Sequence, residues 1–230
     1  MALPSIQSTV KISKIGEKKL KIRAFTGKEE KALLFAKTQG DKNALIQTLV
    51  DVLSSCSDYD ASTLTDGELE KLFLDIRCIS VSDMLEPNIT CQKCGEHTPV
   101  KIPANQLKMP EKFVADIELD AGQDESGSKI TVKLRTPTIA KILEAKDVED
   151  SDTYVIYSSV VQIYDAKGVI YDSFTFDEFR EWFMSLTGVY VQALAFVRSS
   201  PKLSYSKDFT CLKCGTKQDF EIVGLDDFLH

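Results

Sequence analysis

The residues best placed to do chemistry are four cysteines in two near-copies of one motif. Thr90-Cys91-Gln92-Lys93-Cys94-Gly95 runs on to Val100-Lys101-Ile102, and Thr210-Cys211-Leu212-Lys213-Cys214-Gly215 runs on to Phe220-Glu221-Ile222. A Cys-x-x-Cys turn closing on glycine sets two thiolates on one side of a tight loop, because glycine accepts the left-handed backbone such a turn needs. Two turns brought together offer four sulfurs in a tetrahedron, the arrangement a structural zinc ion takes at about 2.3 Å per Zn–S bond. Cys91, Cys94, Cys211 and Cys214 are therefore the predicted metal ligands, with structural Zn2+ the expected cofactor. Far more chain separates the pairs than in an ordinary zinc ribbon, so the chain must fold back on itself to close the site. The competing readings are a disulfide within each pair or a redox dithiol. A redox site would need a βαβ setting and a thiolate at a helix N-terminus, whereas strand-like residues flank both turns. A disulfide is at odds with the absence of a basic start followed by an apolar stretch, from which folding in reducing cytoplasm is expected. Cys56 and Cys78 lie in helix-like apolar stretches and read as buried free thiols.

Other catalytic material is scarce. The two histidines are His97 and His230. His97 follows Cys94 closely enough to ligate a metal, but four cysteines already complete a set. No phosphate-binding glycine loop, His-Glu-x-x-His or Gly-x-Ser-x-Gly occurs, and four thiolates would close a zinc site to substrate. The reading is of a non-enzyme with no small-molecule substrate.

The elements that must position the cysteines follow from patterning. Residues 7–13 and 18–23 alternate around Gly16 (Val10, Ile12; Leu20, Ile22), which predicts a β-hairpin. It carries Lys11, Lys14, Lys18, Lys19, Lys21 and Arg23, either a solvated face or a docking surface for an acidic partner. Met1 to Ile6 reads as an extended arm. Capping boxes at Thr26/Glu29 and Thr65/Glu68 each open a helix. The first carries Ala32, Leu33, Phe35 and Ala36 to a stop near Gly40; the second of these boxes precedes Leu69, Leu72, Phe73 and Ile76. Between them a helix from Asp41 places Leu45, Leu49, Val52 and Leu53 on one stripe. Beyond the first knuckle, strands are expected at 113–119 (from Phe113) and 129–135, joined by an acidic loop. A helix from Pro137 to Lys146 follows. Residues 152–165 have β-branched content that suits a strand, but Ile156, Val160, Ile163 and Tyr164 fit a helix, which is the reading taken; a turn at Asp165–Gly168 and a short strand at Val169–Tyr171 come next. A Thr175/Glu178 box with Phe179, Trp182, Phe183 and Leu186, and a last helix over 188–199 with Tyr190, Leu194 and Val197 in the core, complete the insertion.

The predicted fold class is α+β: an N-terminal β-hairpin plus helices (1–87), a four-cysteine zinc ribbon in two halves (88–102 and 205–230) and a long inserted α/β subdomain (103–204). Hydrophobic and charged fractions of 43% and 27% suit an ordinary globular chain, and there is no apolar run long enough to cross a membrane. A net charge of −7 argues against sequence-independent grip on nucleic acid, which needs a basic surface.

The order of motifs carries a resemblance. Leu3-Pro4-x-Ile6 precedes Arg23-Ala24-Phe25-Thr26-Gly27-Lys28-Glu29-Glu30-Lys31-Ala32-Leu33-Leu34. Leu72-Phe73-Leu74-x-x-Arg77-x-x-Ser80-Val81 leads to the first knuckle; Pro201-Lys202-Leu203 leads to the second and to Gly224-Leu225-x-Asp227-Phe228. Over nearly its whole length the chain resembles the baseplate hub or hub-assembly family of T-even-type contractile-tailed phages. The resemblance implies a non-enzymatic hub component, or a transient assembly chaperone for the hub. Its partners would be other hub or tail proteins, and its location the virion tail baseplate after assembly in host cytoplasm. A zinc-ribbon nucleic-acid module is the rival from another class.

Overall fold

The computed structural model describes residues 9–110 and 114–224. The expected arm at Met1–Ile6, Phe113, Leu225, Asp227, Phe228 and His230 lie outside the described residues. The chain forms two compact units, one of residues 1–111 with 201–230 and one of residues 112–200. Seven α-helices and several small antiparallel sheets are described, a mixed helix-and-sheet fold.

The first unit opens with the hairpin β1 (Val10–Ile15) and β2 (Lys18–Arg23). Gly16, with φ 57°, supplies the positive φ that a two-residue hairpin turn of this hand requires. Pairing of Ser13 with Leu20 and of Ile12 with Lys21 fixes the register. Ser13, Ile15, Leu20 and Ile22 form the buried face, while Val10 and Ile12 are 63% and 56% exposed. The sequence alternation is real, but the buried side of β1 is the opposite one. Ser13 is drawn inward because its hydroxyl donates to Asp75 Oδ2 at 2.6 Å.

Helices α1 (Gly27–Gln39), α2 (Lys42–Ser55) and α3 (Asp66–Ser80) follow. Both predicted capping boxes form, with the Thr26 and Thr65 amides donating to Glu29 and Glu68. In α1 the expected core stripe is largely absent: Phe35 is 64% exposed and only Ala36 is buried. The apolar residues of α1 are spread around the helix, so no single face can bury them all. In α2 and α3 they do fall on one stripe, and Leu53, Leu72 and Ile76 are fully buried. Strands β3 (Met84–Leu85), β4 (Asn88–Thr90), β5 (His97–Pro99) and β6 (Ile102–Pro103) carry the first knuckle, with β4 pairing β5 and β3 pairing β6.

The second unit pairs β7 (Asp116–Gln123) with β8 (Lys129–Arg135), then runs through α4 (Ile139–Glu144), α5 (Ser151–Ser159), β9 (Val160–Asp165), β10 (Ile170–Tyr171), α6 (Phe176–Ser185) and α7 (Val189–Arg198). Its sheet is antiparallel in the order β10-β9-β8-β7. The helix expected over 152–165 is corrected: it ends at Ser159 and the chain continues as β9. Asp150 caps its start by accepting from the Thr153 amide. From Val160 the β-branched residues instead complete the ladder beside β8, with Val132 opposite Ile163. The core gathers Val132, Leu134, Ile156, Phe179, Phe183 and Ala193, and the Phe179 and Phe183 rings stack at 4.9 Å. Tyr190 and Leu194 pack against this core as partly buried residues.

The chain then returns to the first unit as β11 (Ser204–Thr210) and β12 (Lys217–Val223), a hairpin carrying the second knuckle. The return is tightly docked there. The Leu203 amide donates to buried Glu70 at 2.8 Å. A Cβ added at Gly67 would meet the Pro201 carbonyl oxygen at 2.0 Å.

Candidate metal centre

Each knuckle is built by its own hairpin, and the two are near-superposable in their bonding. The Cys91 amide donates to the Glu96 carbonyl and the Gly95 amide to the Cys91 carbonyl; Cys211, Thr216 and Gly215 repeat the pattern. Gly95 and Gly215 sit at φ 70° and 69°, the left-handed geometry that closes both turns. Contacts then join them. Gln218 Oε1 accepts from the Gln92 amide while Gln218 Nε2 donates to the Thr90 carbonyl, and Lys213 Nζ meets Glu96 Oε2 at 2.8 Å.

The consequence is that Cys91, Cys94, Cys211 and Cys214 converge, each offering a sulfur within 4.8 Å of the other three. Cys91 Sγ lies 3.7 Å from Cys214 Sγ, and Cys94 Sγ 3.6 Å from Cys211 Sγ. All four are free cysteines; Cys91 and Cys211 are buried and Cys94 is exposed. Cys91 and Cys211 belong to a buried apolar cluster that includes Leu85, Ile102, Phe209 and Phe220.

Local donors favour ionised sulfur. Amides of Cys94 and then Lys93 draw the Cys91 thiol down. The Thr216 hydroxyl and amide bring Cys214 to about 6. Cys94 receives the Glu96 amide, yet desolvation and the neighbouring thiols outweigh that donor and push it up to about 12. Neighbouring sulfurs this close resist full ionisation until a cation neutralises them. Four such cysteines could hold one metal ion.

His97 stands in β5, with Nδ1 2.9 Å from Thr90 Oγ1 across the ladder. The five hairpin lysines divide. Lys14, Lys19 and Lys21 share the outer face with Val10 and Ile12, as the register requires. Lys18 pairs with Glu68 at 2.8 Å and covers the Tyr59 ring, and Lys11 is an exposed residue opposite Ile22. Sequence reading missed Gln218 and Glu70. A lone polar residue in a strand or helix carries no signal of its partner 128 or 133 positions away.

The fold and site thus define an α+β protein whose two cysteine knuckles, far apart in sequence, meet in one four-sulfur cluster. A family model described as T4 bacteriophage base plate protein matches residues 5–230, and the chain belongs to that family. That membership places it among proteins of the phage tail baseplate. Neither the search of curated proteins nor that of solved structures finds a match. No helix among the described residues is long and apolar enough to cross a membrane.

Proposed function

We propose that this chain is a non-enzymatic component of the baseplate hub, stapled by a structural zinc ion and acting through contacts with other hub or tail proteins. The observation that carries the reading is a four-sulfur cluster in a chain of a baseplate family. Four bonds of about 2.3 Å in a tetrahedron separate sulfurs by roughly 3.8 Å, and the distances of 3.6 and 3.7 Å support that geometry. Four thiolates leave no open position, so the ion's work is structural. Residues 88–102 and 205–223 are then two halves of one zinc ribbon. Lys14, Lys19 and Lys21 around Val10 and Ile12 are the first candidate contact surface, suited to an acidic neighbour, with Lys11 and Lys18 at its margins.

Quantitative mass spectrometry of purified, DNA-filled particles tests the role. Stoichiometric presence supports a hub component. Absence from particles together with failed tail assembly on gene removal makes the chain an assembly factor instead. Absence with normal tails refutes both.

A further inference from the structure

The second unit holds a cleft that the metal centre and the basic hairpin leave unexplained. It measures about 480 Å³, within the range of ligand-binding sites. One wall is the sheet, through Ile130 and Ile163; another is α6, through Phe179 and Trp182; Phe174 and Tyr171 complete an aromatic lining. Two carboxylates, Asp124 and Glu178, stand among these rings.

Each carboxylate is half committed. Asp124 Oδ1 accepts from the Ser126 amide and hydroxyl and from the Ser128 amide. Glu178 Oε2 accepts from the Thr175 amide and hydroxyl. None of these bonds uses Asp124 Oδ2 or Glu178 Oε1, and neither residue has an ion pair among the described residues. The same donors hold both carboxyls below their usual range, Ser126 first for Asp124 and Thr175 first for Glu178, with Lys167 contributing at Asp124. Aromatic faces beside fixed negative charge attract a cation that has shed water.

What surrounds the cleft indicates a polypeptide. Tyr171 belongs to β10, the terminal strand of the sheet order, so among the described residues one side of its backbone has no strand partner. Val169, Ile170 and Tyr171 are 49%, 51% and 43% exposed, a short apolar edge that carries no lysine or proline of its own. Strand addition at such an edge supplies main-chain bonds, and pockets for alternate side chains supply selectivity.

We propose that the edge of β10 receives an extended segment of a neighbouring protein, which inserts an arginine or lysine between Phe174, Trp182, Asp124 and Glu178. This rests on the reading of the chain as a baseplate protein that works through protein contacts, and it names the chemistry of one such contact. The site is distinct from the basic hairpin and selects the opposite charge.

The sole tryptophan is Trp182, so intrinsic fluorescence of the full chain reports on the cleft directly. The probes are two blocked heptapeptides, Thr-Val-Arg-Val-Arg-Val-Thr and the same sequence with glutamate for arginine. The arginine peptide is expected to change Trp182 emission saturably and to bind at least about ten-fold more tightly than the glutamate peptide. Asp124→Asn with Glu178→Gln keeps the accepting oxygens and the capping box while removing both charges; it should weaken the arginine peptide at least about five-fold. Tyr171→Ala, at an exposed position that leaves the core intact, should weaken it several-fold. Equal binding of the two peptides, unchanged affinity in all these variants, or no saturable response from the folded chain would overturn the proposal. So would arginine methyl ester binding as tightly as the peptide, which would make this a small-cation site. The assay uses the isolated chain, so its failure leaves the baseplate role standing, and the chain's absence from particles would leave a positive result intact.

Discussion

Removing the proposed zinc ion is the perturbation whose consequence follows most directly from the geometry. Such an ion, joining Cys91 to Cys211, would close a loop of about 120 residues. Restricting the unfolded chain by one cross-link of that length contributes about 5 kcal/mol in the chain-entropy treatment. For a chain of this size each kcal/mol moves the midpoint by about 2–4 °C, so a chelator should lower it by roughly 10–20 °C. No cysteine lies in residues 112–200, and Trp182 offers a separate optical probe of that unit. The assay is scanning calorimetry on protein with one equivalent of zinc by elemental analysis, then after chelation, with Cys211→Ser as the genetic counterpart. Identical midpoints for zinc-loaded and metal-free protein would refute the staple, as would protein that retains no zinc when purified without chelator.

Four further outcomes are expected. Gly67→Ala should destabilise by about 1–3 kcal/mol through overpacking against the Pro201 carbonyl, despite alanine's better helix propensity; a gain in urea midpoint would contradict this packing. Phe183→Ala should cost about 3–5 kcal/mol, because the ring is fully buried, and calorimetry reads it. Glu29 is held well below the usual carboxylate range, first by Arg23 and then by the Thr26 amide, the Thr26 hydroxyl and Ser55, against opposing desolvation. A depressed folded-state pKa gives stability that is full above the unfolded value near 4.3 and is lost as pH falls below it. Glu29→Gln keeps the capping box, so wild type should lose about 1 kcal/mol more than the variant between about pH 5 and pH 2 in urea titrations. Finally, Lys14→Glu with Lys19→Glu and Lys21→Glu should leave the melting profile within about 1 kcal/mol of wild type yet abolish complementation of a gene-deleted phage; full plaque formation would remove the hairpin as a contact surface.

Local chemistry explains what could be read in advance. Three Thr-x-x-Glu boxes opened three helices at Thr26, Thr65 and Thr175, because an N-cap and its third residue satisfy one another within a single turn. The two cysteine knuckles were legible for the same reason: glycine and four-residue spacing dictate the turn. The chain's own sequence therefore determined its mixed helix-and-sheet character, its capped helices and the four residues that could share a metal.

Tertiary structure decided what depends on neighbours remote in sequence. Residues 152–165 fit either period, and only the β8 ladder converted Val160–Asp165 into a strand. The hairpin's alternation was plain, but its buried side turned on Asp75, 62 positions away, capturing Ser13. Phe35 was left outside because α1 presents no continuous apolar stripe to a partner. Gly67 stands inside α3, and only the returning chain at Pro201, which occupies the space a Cβ would need, gives it a packing role. Spacing can propose that Cys91 and Cys211 meet, but the 3.6 and 3.7 Å approaches that make one cluster come from Gln218, Lys213 and the shared apolar floor. Such contacts join residues more than a hundred positions apart, and no local pattern encodes them.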